Sequence, residues 1–276
     1  MNIGIIGLGL MGGSLGLALK KLPQKYTIIG YDHNKKHQED ALKLKLIDRL
    51  ANNFNEIKNC DVIILTIPVD AIIKTAQTLT DVSKHCTIID FGSSKEKIDV
   101  AIPTIIRQNF VTAHPMTGTE KFGPTAAIED LYTNQTMVLC NQEKSGDLQN
   151  KVALELFADI KSNVVFMGAK EHDEHAAFIS HMPHAVSYAI ANSVMKQKDP
   201  QSIIALAGGG FKSMSRIAKS SPNMWEDIFR QNKKNLLSSM KAFNNEMQLC
   251  QTMIENEEWD KLHQWMSEAN KLHNIL

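Results

Sequence analysis

The stretch NIGIIGLGLMGGSLGLALKKL, residues 2–22, constrains the fold more than any other part of the chain. A short apolar run ends in Gly7, Gly9 and Gly12, and an amphipathic segment follows directly. This is a G-x-G-x-x-G turn between an expected strand and an expected helix. Gly7 would permit the tight turn, Gly9 would let the backbone approach a pyrophosphate, and Gly12 would let helix and strand pack closely. The phosphates would sit at the helix N-terminus, where free N–H groups and the helix dipole favour an anion. The loop residues Leu8, Leu10 and Met11 complete this expected phosphate-binding set.

Asp32 ends the next apolar run, 20 residues after Gly12. A carboxylate at that position binds both hydroxyls of an adenosine ribose and repels a 2′-phosphate, which favours NAD over NADP. His33, Lys35 and Lys36 soften the preference.

Up to residue 168 the chain repeats one theme. NIGIIG (2–7), YTIIGYD (26–32), CDVIILTIP (60–68), CTIIDFG (86–92), FVTAH (110–114), TMVLC (136–140) and NVVFMG (163–168) are short, rich in Ile and Val, and bounded by Gly, Pro or Asp. Such runs predict parallel strands covered on both faces, with helices between several of them. The expected class is α/β: a Rossmann-like, doubly wound, mainly parallel sheet over 1–168, followed by an all-α domain over 169–276. In such sheets ligands lie beyond the C-terminal strand ends. Thr66 and Pro68, Ser93, and His114 all fall at such ends, so Ser93 and His114 are expected to face the crevice that holds the nicotinamide.

After residue 169 the strand pattern stops. Residues 171–197 carry few charges and predict a buried helix. Residues 223–256 predict a second, longer one, with Leu236, Met240, Phe243, Met247, Cys250 and Ile254 spaced as a heptad seam. As a single helix it would span roughly 50 Å, longer than a small domain is wide, and it is expected to pack partly against a second subunit.

The chain has 276 residues, 43% of them hydrophobic, with 30 Lys+Arg against 30 Asp+Glu. Formal neutrality argues against a general affinity for nucleic acid or anionic membranes. Cys60, Cys86, Cys140 and Cys250 are far apart and form no C-x-x-C pair, which fits reduced thiols. No run of about 18 apolar residues occurs and no basic flank precedes the first apolar run, so a cytoplasmic location is expected. His172, His175, His181 and His184 cluster in sequence. They lack the H-E-x-x-H arrangement, and Pro183 disturbs helical spacing, so no metal is expected there.

GLGLMGGSL, DFGSSK, HPMTGTEKFGP, SHMPHA and GGGFKSMSRIAKSSPNMWEDIF, in that order, resemble the prephenate dehydrogenases of tyrosine biosynthesis. The glycine turn is shared by many dehydrogenases; the HPMTGTE and SRIAKSSPNMW stretches are far more specific. The resemblance covers residues 2–232, and the helical remainder fits the family's dimerising domain. It implies an NAD-dependent oxidative decarboxylation of prephenate to 4-hydroxyphenylpyruvate, carbon dioxide and NADH, by a homodimer. It further implies that His114 takes the proton of the substrate ring hydroxyl, a task suited to a group whose ordinary pKa is near the operating pH. Ser93 would help orient that histidine and hydroxyl. Arg216 would grip a substrate carboxylate with its guanidinium fork. His184, with Ser180 beside it, would line the substrate site, and Thr119 and Glu120 its mouth, where Glu120 would pair with Arg216 as a gate. Trp225 resembles a pocket-proximal aromatic, with a core position as the alternative. Relatives often have Asp where this chain has Ser213, so a charge partner of Arg216 is altered here. The chain offers no evident regulatory segment, so any inhibition by tyrosine is expected to act at the substrate pocket. Three alternatives stay open at this point: an arogenate dehydrogenase; a β-hydroxyacid or imine reductase, which would share the glycine start but lack the HPMTGTE and SRIAKSSP blocks; and a non-catalytic dinucleotide sensor, which would not need Ser93, His114 and Arg216 together.

Overall fold

The computed structural model describes residues 1–22 and 24–275. All seven apolar runs form strands: β1 (Asn2–Ile6), β2 (Thr27–Tyr31), β4 (Val62–Leu65), β5 (Thr87–Asp90), β6 (Phe110–Pro115), β7 (Thr136–Cys140) and β8 (Asn163–Met167), with a two-residue β3 (Arg49–Leu50) that no apolar run announces. They make one sheet in the order β3-β2-β1-β4-β5-β6-β7-β8. From β3 to β6 every pairing is parallel. β7 then pairs antiparallel to β6, and β8 parallel to β7. The connections explain the reversal. A parallel neighbour needs a crossover, usually a helix. The Asp147–Asp159 helix supplies one between β7 and β8, whereas the segment 116–135 holds only the short Pro124–Ala126 turn.

Successive strand residues point to opposite faces, and both faces are buried. Ile3, Ile5, Val62, Ile64 and Ile89 pack with Leu15 and Leu19 of helix α1 (Leu10–Lys20) and with Leu156 and Phe157. Ile6, Ile63, Leu65 and Ile88 pack with Ile72 and Ile98 on the other side. Burying five such side chains at about 1.5–3 kcal/mol each explains why runs of only four or five residues hold their places. All four cysteines are free thiols, three of them buried.

The chain then becomes helical throughout. The Ala169–Ala176 and Met182–Met195 helices form one rod joined by a wide π turn, Ala177–His181. The sequence predicts this rod as buried; in the single chain it is not. His172, Asp173, Ala176, Ala177, His181 and Ser187 face inward, while Phe178, Ile179 and Met195 are exposed. The rod is apolar on most sides, but this chain covers only one of them. The long helix predicted over 223–256 is also corrected: it breaks at Asn232 into Pro222–Gln231 and Lys233–Glu255. Asn232 leaves helical geometry at ψ 32°, and its buried side-chain amide donates instead to the Asp173 carbonyl at 2.6 Å. The remaining 23-residue helix spans about 35 Å. On its seam Leu236 is buried, but Met247 and Ile254 are exposed. Among the described residues no helix is long and apolar enough to cross a membrane.

Candidate active site

The glycine turn has the shape a dinucleotide needs. Gly7 has φ +98° and a side chain there would lie 2.5 Å from the Thr66 carbonyl oxygen. A side chain at Gly12 would overlap the Gly7 carbonyl and sit 2.6 Å from Thr66 Oγ1. At Gly9, by contrast, an added carbon meets nothing within 4 Å. Gly9 also starts α1 with no capping side chain and no acid in the first turn, which leaves that helix end open to an anion. Leu8 is wholly buried, and its amide donates to Asp32 Oδ2 at 2.7 Å. Asp32 Oδ1 accepts from the Asn34 amide at 2.8 Å, and each oxygen keeps a lone pair for a further donor. His33 and His37 each place Nδ1 3.4 Å from this carboxylate. The Thr66 hydroxyl donates to the Gly7 carbonyl at 2.6 Å and so braces the turn. Pro68 precedes the next helix and is exposed. Leu10 and Met11 are half-buried on α1, and the Met11 carbonyl accepts from the Tyr132 hydroxyl at 2.6 Å.

β5 and β6 are parallel neighbours, with Asp90 beside Thr112, so Ser93 and His114 emerge from the same edge of the sheet. Ser93 is half-buried in the turn after β5. His114 is held from behind. Its Nδ1 lies 2.8 Å from His172 Nε2, and His172 Nδ1 lies 2.8 Å from Asp173 Oδ1. Lys95 is fully buried and is ion-paired with Asp90, and its Nζ also donates to the Ala113 carbonyl at 2.7 Å, one residue before His114. Burial holds His114 well below its ordinary pKa, and the neighbouring His172, Lys95 and His181 push it further down. His114 is therefore neutral near pH 7 and able to accept a proton.

The helical domain brings the remaining candidates to this edge. The His184 ring stacks on Trp225 with centroids 3.5 Å apart, and its Nδ1 is tied to the Ser180 carbonyl at 2.9 Å, which leaves Nε2 outward. Ser180 itself is half-buried on the π turn. Burial pushes His184 below its ordinary value, and Arg216 adds to this. His181 packs edge-on to Trp225. Trp225 is buried against both histidines, as the core alternative expects. Arg216 is exposed, and its nearest carboxylate, Glu120 Oε2, stands 3.7 Å away. That is long for an ion pair and leaves the guanidinium fork available. Thr119 is half-buried beside Glu120, and its hydroxyl accepts from the Lys121 amide at 3.2 Å.

Sequence reasoning missed the support behind His114. The sequence marks His172 only as one of a histidine cluster, and nothing in it marks Asp173 or Lys95. The one available sign is three acids and two histidines in EHDEH, residues 171–175, at the start of an otherwise apolar helix.

Comparison with known proteins identifies the family. Residues 15–166 match the family model described as prephenate dehydrogenase, nucleotide-binding domain, and residues 168–268 match that described as prephenate dehydrogenase, dimerization domain. A prephenate dehydrogenase of Bacillus subtilis is 32% identical over 96% of this chain and 73% of its own length. A cyclohexadienyl dehydrogenase of Zymomonas mobilis is 27% identical over 98% and 94%. The crystal structure of an Aquifex aeolicus prephenate dehydrogenase in complex with hydroxyphenyl propionate and NAD+ superposes with a TM-score of 0.92 at 31% identity, covering 100% of this chain and 98% of the other. A Synechocystis arogenate dehydrogenase gives a TM-score of 0.83 at 26% identity, covering 100% and 99%.

Proposed function

The chain belongs to the prephenate dehydrogenase family, and from that premise we propose how its residues carry out the NAD-dependent oxidative decarboxylation of prephenate. NAD, when bound, supplies the acceptor for the hydride that leaves the substrate. Gly7 to Gly12 would hold its pyrophosphate at the start of α1 and Asp32 its ribose. His114 Nε2 would accept the proton of the ring hydroxyl as the carbonyl forms, and loss of carbon dioxide then makes the ring aromatic. Ser93, at the adjacent strand end, would steer that hydroxyl. Arg216 would take a substrate carboxylate, with His184 and Ser180 on the same wall and Thr119 and Glu120 at the mouth. Because Glu120 stands 3.7 Å from Arg216, an incoming carboxylate would displace only a loose contact.

The observation that carries this reading is His114 itself: neutral, half-buried, tied at Nδ1, and on the strand edge shared with the glycine turn. We place the boundary between the nucleotide-binding and helical domains at Gly168, giving 1–168 and 169–276. The helical domain would form a homodimer, because Ile179, Leu206, Met214, Leu237 and Trp259 are all more than half exposed in the single chain. A substrate panel tests the proposal: NADH or NADPH formation from prephenate and from arogenate, each with NAD and NADP, by wild type and His114→Asn. NAD-dependent turnover of prephenate is expected, lowered by roughly 10²–10⁴-fold when the base is removed. Normal turnover by His114→Asn would remove the histidine from the mechanism.

A further inference from the structure

Behind His114 lies a continuous buried line of hydrogen bonds that substrate binding does not need. His172 and Asp173 are each only 2% exposed, so neither can touch the substrate. Both belong to the first turns of the helical rod, yet His172 reaches β6 and Asp173 the segment after β5. Asp173 Oδ1 accepts from the Lys95 amide at 2.7 Å and from His172 Nδ1 at 2.8 Å, and Oδ2 accepts from the Glu96 amide at 3.0 Å. Three donors on one carboxylate fix it as an ion; burial alone would raise it, and the hydrogen bonds outweigh that.

The tautomers follow from these acceptors. An ionised carboxylate only accepts, so His172 carries its proton on Nδ1 and presents a bare Nε2. A bare Nε2 only accepts, so His114 carries its proton on Nδ1. Its own Nε2 is then the unprotonated atom, and that is the atom free to meet a substrate hydroxyl. No other hydrogen-bonding partner holds the His114 ring among the described residues.

We propose that His172 and Asp173 are positioning residues: they fix His114 in the tautomer with a bare Nε2, and they take up one ring deeper the positive charge it gains. The proposal rests on the reading of His114 as the base. The proton balance is simple. The substrate O–H bond breaks and an N–H bond forms at His114 Nε2. The His114 Nδ1–H bond breaks as an N–H bond forms at His172 Nε2. His114 is neutral again, and the imidazolium now sits on His172, in direct contact with the Asp173 carboxylate. No electron pair leaves the nitrogens, and the hydride travels separately to NAD. The charge therefore moves away from the nicotinamide side and into an ion pair. The other charged or titratable groups facing this line are Lys95, paired with Asp90, and His181 and His175 from the rod. None of them offers a second carboxylate to the His172 ring.

The test compares wild type with His114→Asn, Asp173→Asn, His172→Gln and His172→Leu, reading kcat and KM for prephenate across the acid limb of the pH profile. NAD affinity and thermal stability of each variant report on folding. Asp173→Asn removes the anion that stabilises the protonated pair, so its acid limb moves to lower pH while kcat falls by roughly 10²–10⁴-fold. KM for prephenate stays within about threefold, because neither residue touches the substrate. His172→Gln keeps an acceptor for the His114 Nδ1 proton but cannot pass it on, so it retains more activity than His172→Leu. A loss of folded enzyme would lower kcat without moving the limb, and would treat Gln and Leu alike; that pattern overturns the proposal, as does wild-type kcat with an unmoved limb in Asp173→Asn. Full turnover by His114→Asn would instead overturn the underlying reading of the base.

Discussion

Two glycines three residues apart should fail in opposite ways when each is changed to alanine. Gly9 has φ −76° and ψ −155°, which alanine adopts freely, and its added carbon meets nothing within 4 Å. Replacing glycine at a compatible position stabilises by about 0.4–1 kcal/mol through the unfolded chain. Losing glycine from the N-cap costs about 0.5–1 kcal/mol. The two nearly cancel, so unliganded Gly9→Ala should melt within about 2 °C of wild type. The empty space it fills is where we place the pyrophosphate. Losing one or more charge-assisted hydrogen bonds of about 1.5–3 kcal/mol should weaken NAD binding roughly 10- to 150-fold. At a concentration 100 times the wild-type Kd, NAD stabilises wild type by about 2.7 kcal/mol, and Gly9→Ala should retain only about 0.3–1.4 kcal/mol. Gly12→Ala behaves differently. Its carbon would overlap the Gly7 carbonyl and crowd Thr66, so the unliganded protein itself should lose about 1–3 kcal/mol or more. Differential scanning fluorimetry with and without NAD, beside a direct binding titration, separates the two. A wild-type NAD-induced shift in Gly9→Ala, or an unliganded melting point as low as that of Gly12→Ala, would refute the placement.

Two further outcomes follow from burial. Burial pushes His181 down to about 4 from 6.5, and His114 and His172 are lowered for the same first reason. The unfolded chain therefore binds protons that the folded chain refuses, so stability is complete above about pH 6.5 and falls toward pH 4; His181 alone contributes about 3 kcal/mol of that loss. A melting temperature flat across this window would contradict the burial of these rings. The exposed apolar helix faces should also be covered in solution: sedimentation at micromolar concentration is expected to give twice the 30.8 kDa of the chain, and a monomer would exclude the homodimer.

The parallel part of the sheet was legible because each strand is an Ile/Val run closed by Gly, Pro or Asp, and the glycine turn carries its own geometry. The reversal at β7 was not, because strand direction is set by what the connection lacks, and TMVLC reads the same in either direction. Arg216 and Glu120, 96 positions apart, are brought within 3.7 Å of each other by the fold. Asn232 was missed as a break because an asparagine inside a good heptad pattern carries no local warning; only its buried tertiary acceptor, the Asp173 carbonyl, takes it out of the helix. His172 and Asp173 escaped notice for a similar reason. Their meaning depends on residues nearly 80 positions earlier, the amides of Lys95 and Glu96.

The wide turn at Ala177–His181 sits midway along the rod that serves both halves of the site. Upstream of it, His172 and Asp173 address the sheet; downstream, His184 addresses Trp225. A π turn takes up one residue more than an α turn, which offsets everything after it by about 100° of helical phase. Pro183, which lacks an amide proton, enters just after this offset, where the regular ladder has already been interrupted. The direction in which His184 points is thus set by a count as well as by a residue. A chain with the same side chains but one residue fewer in that turn would carry that histidine on a different azimuth of the rod, with no substitution having been made.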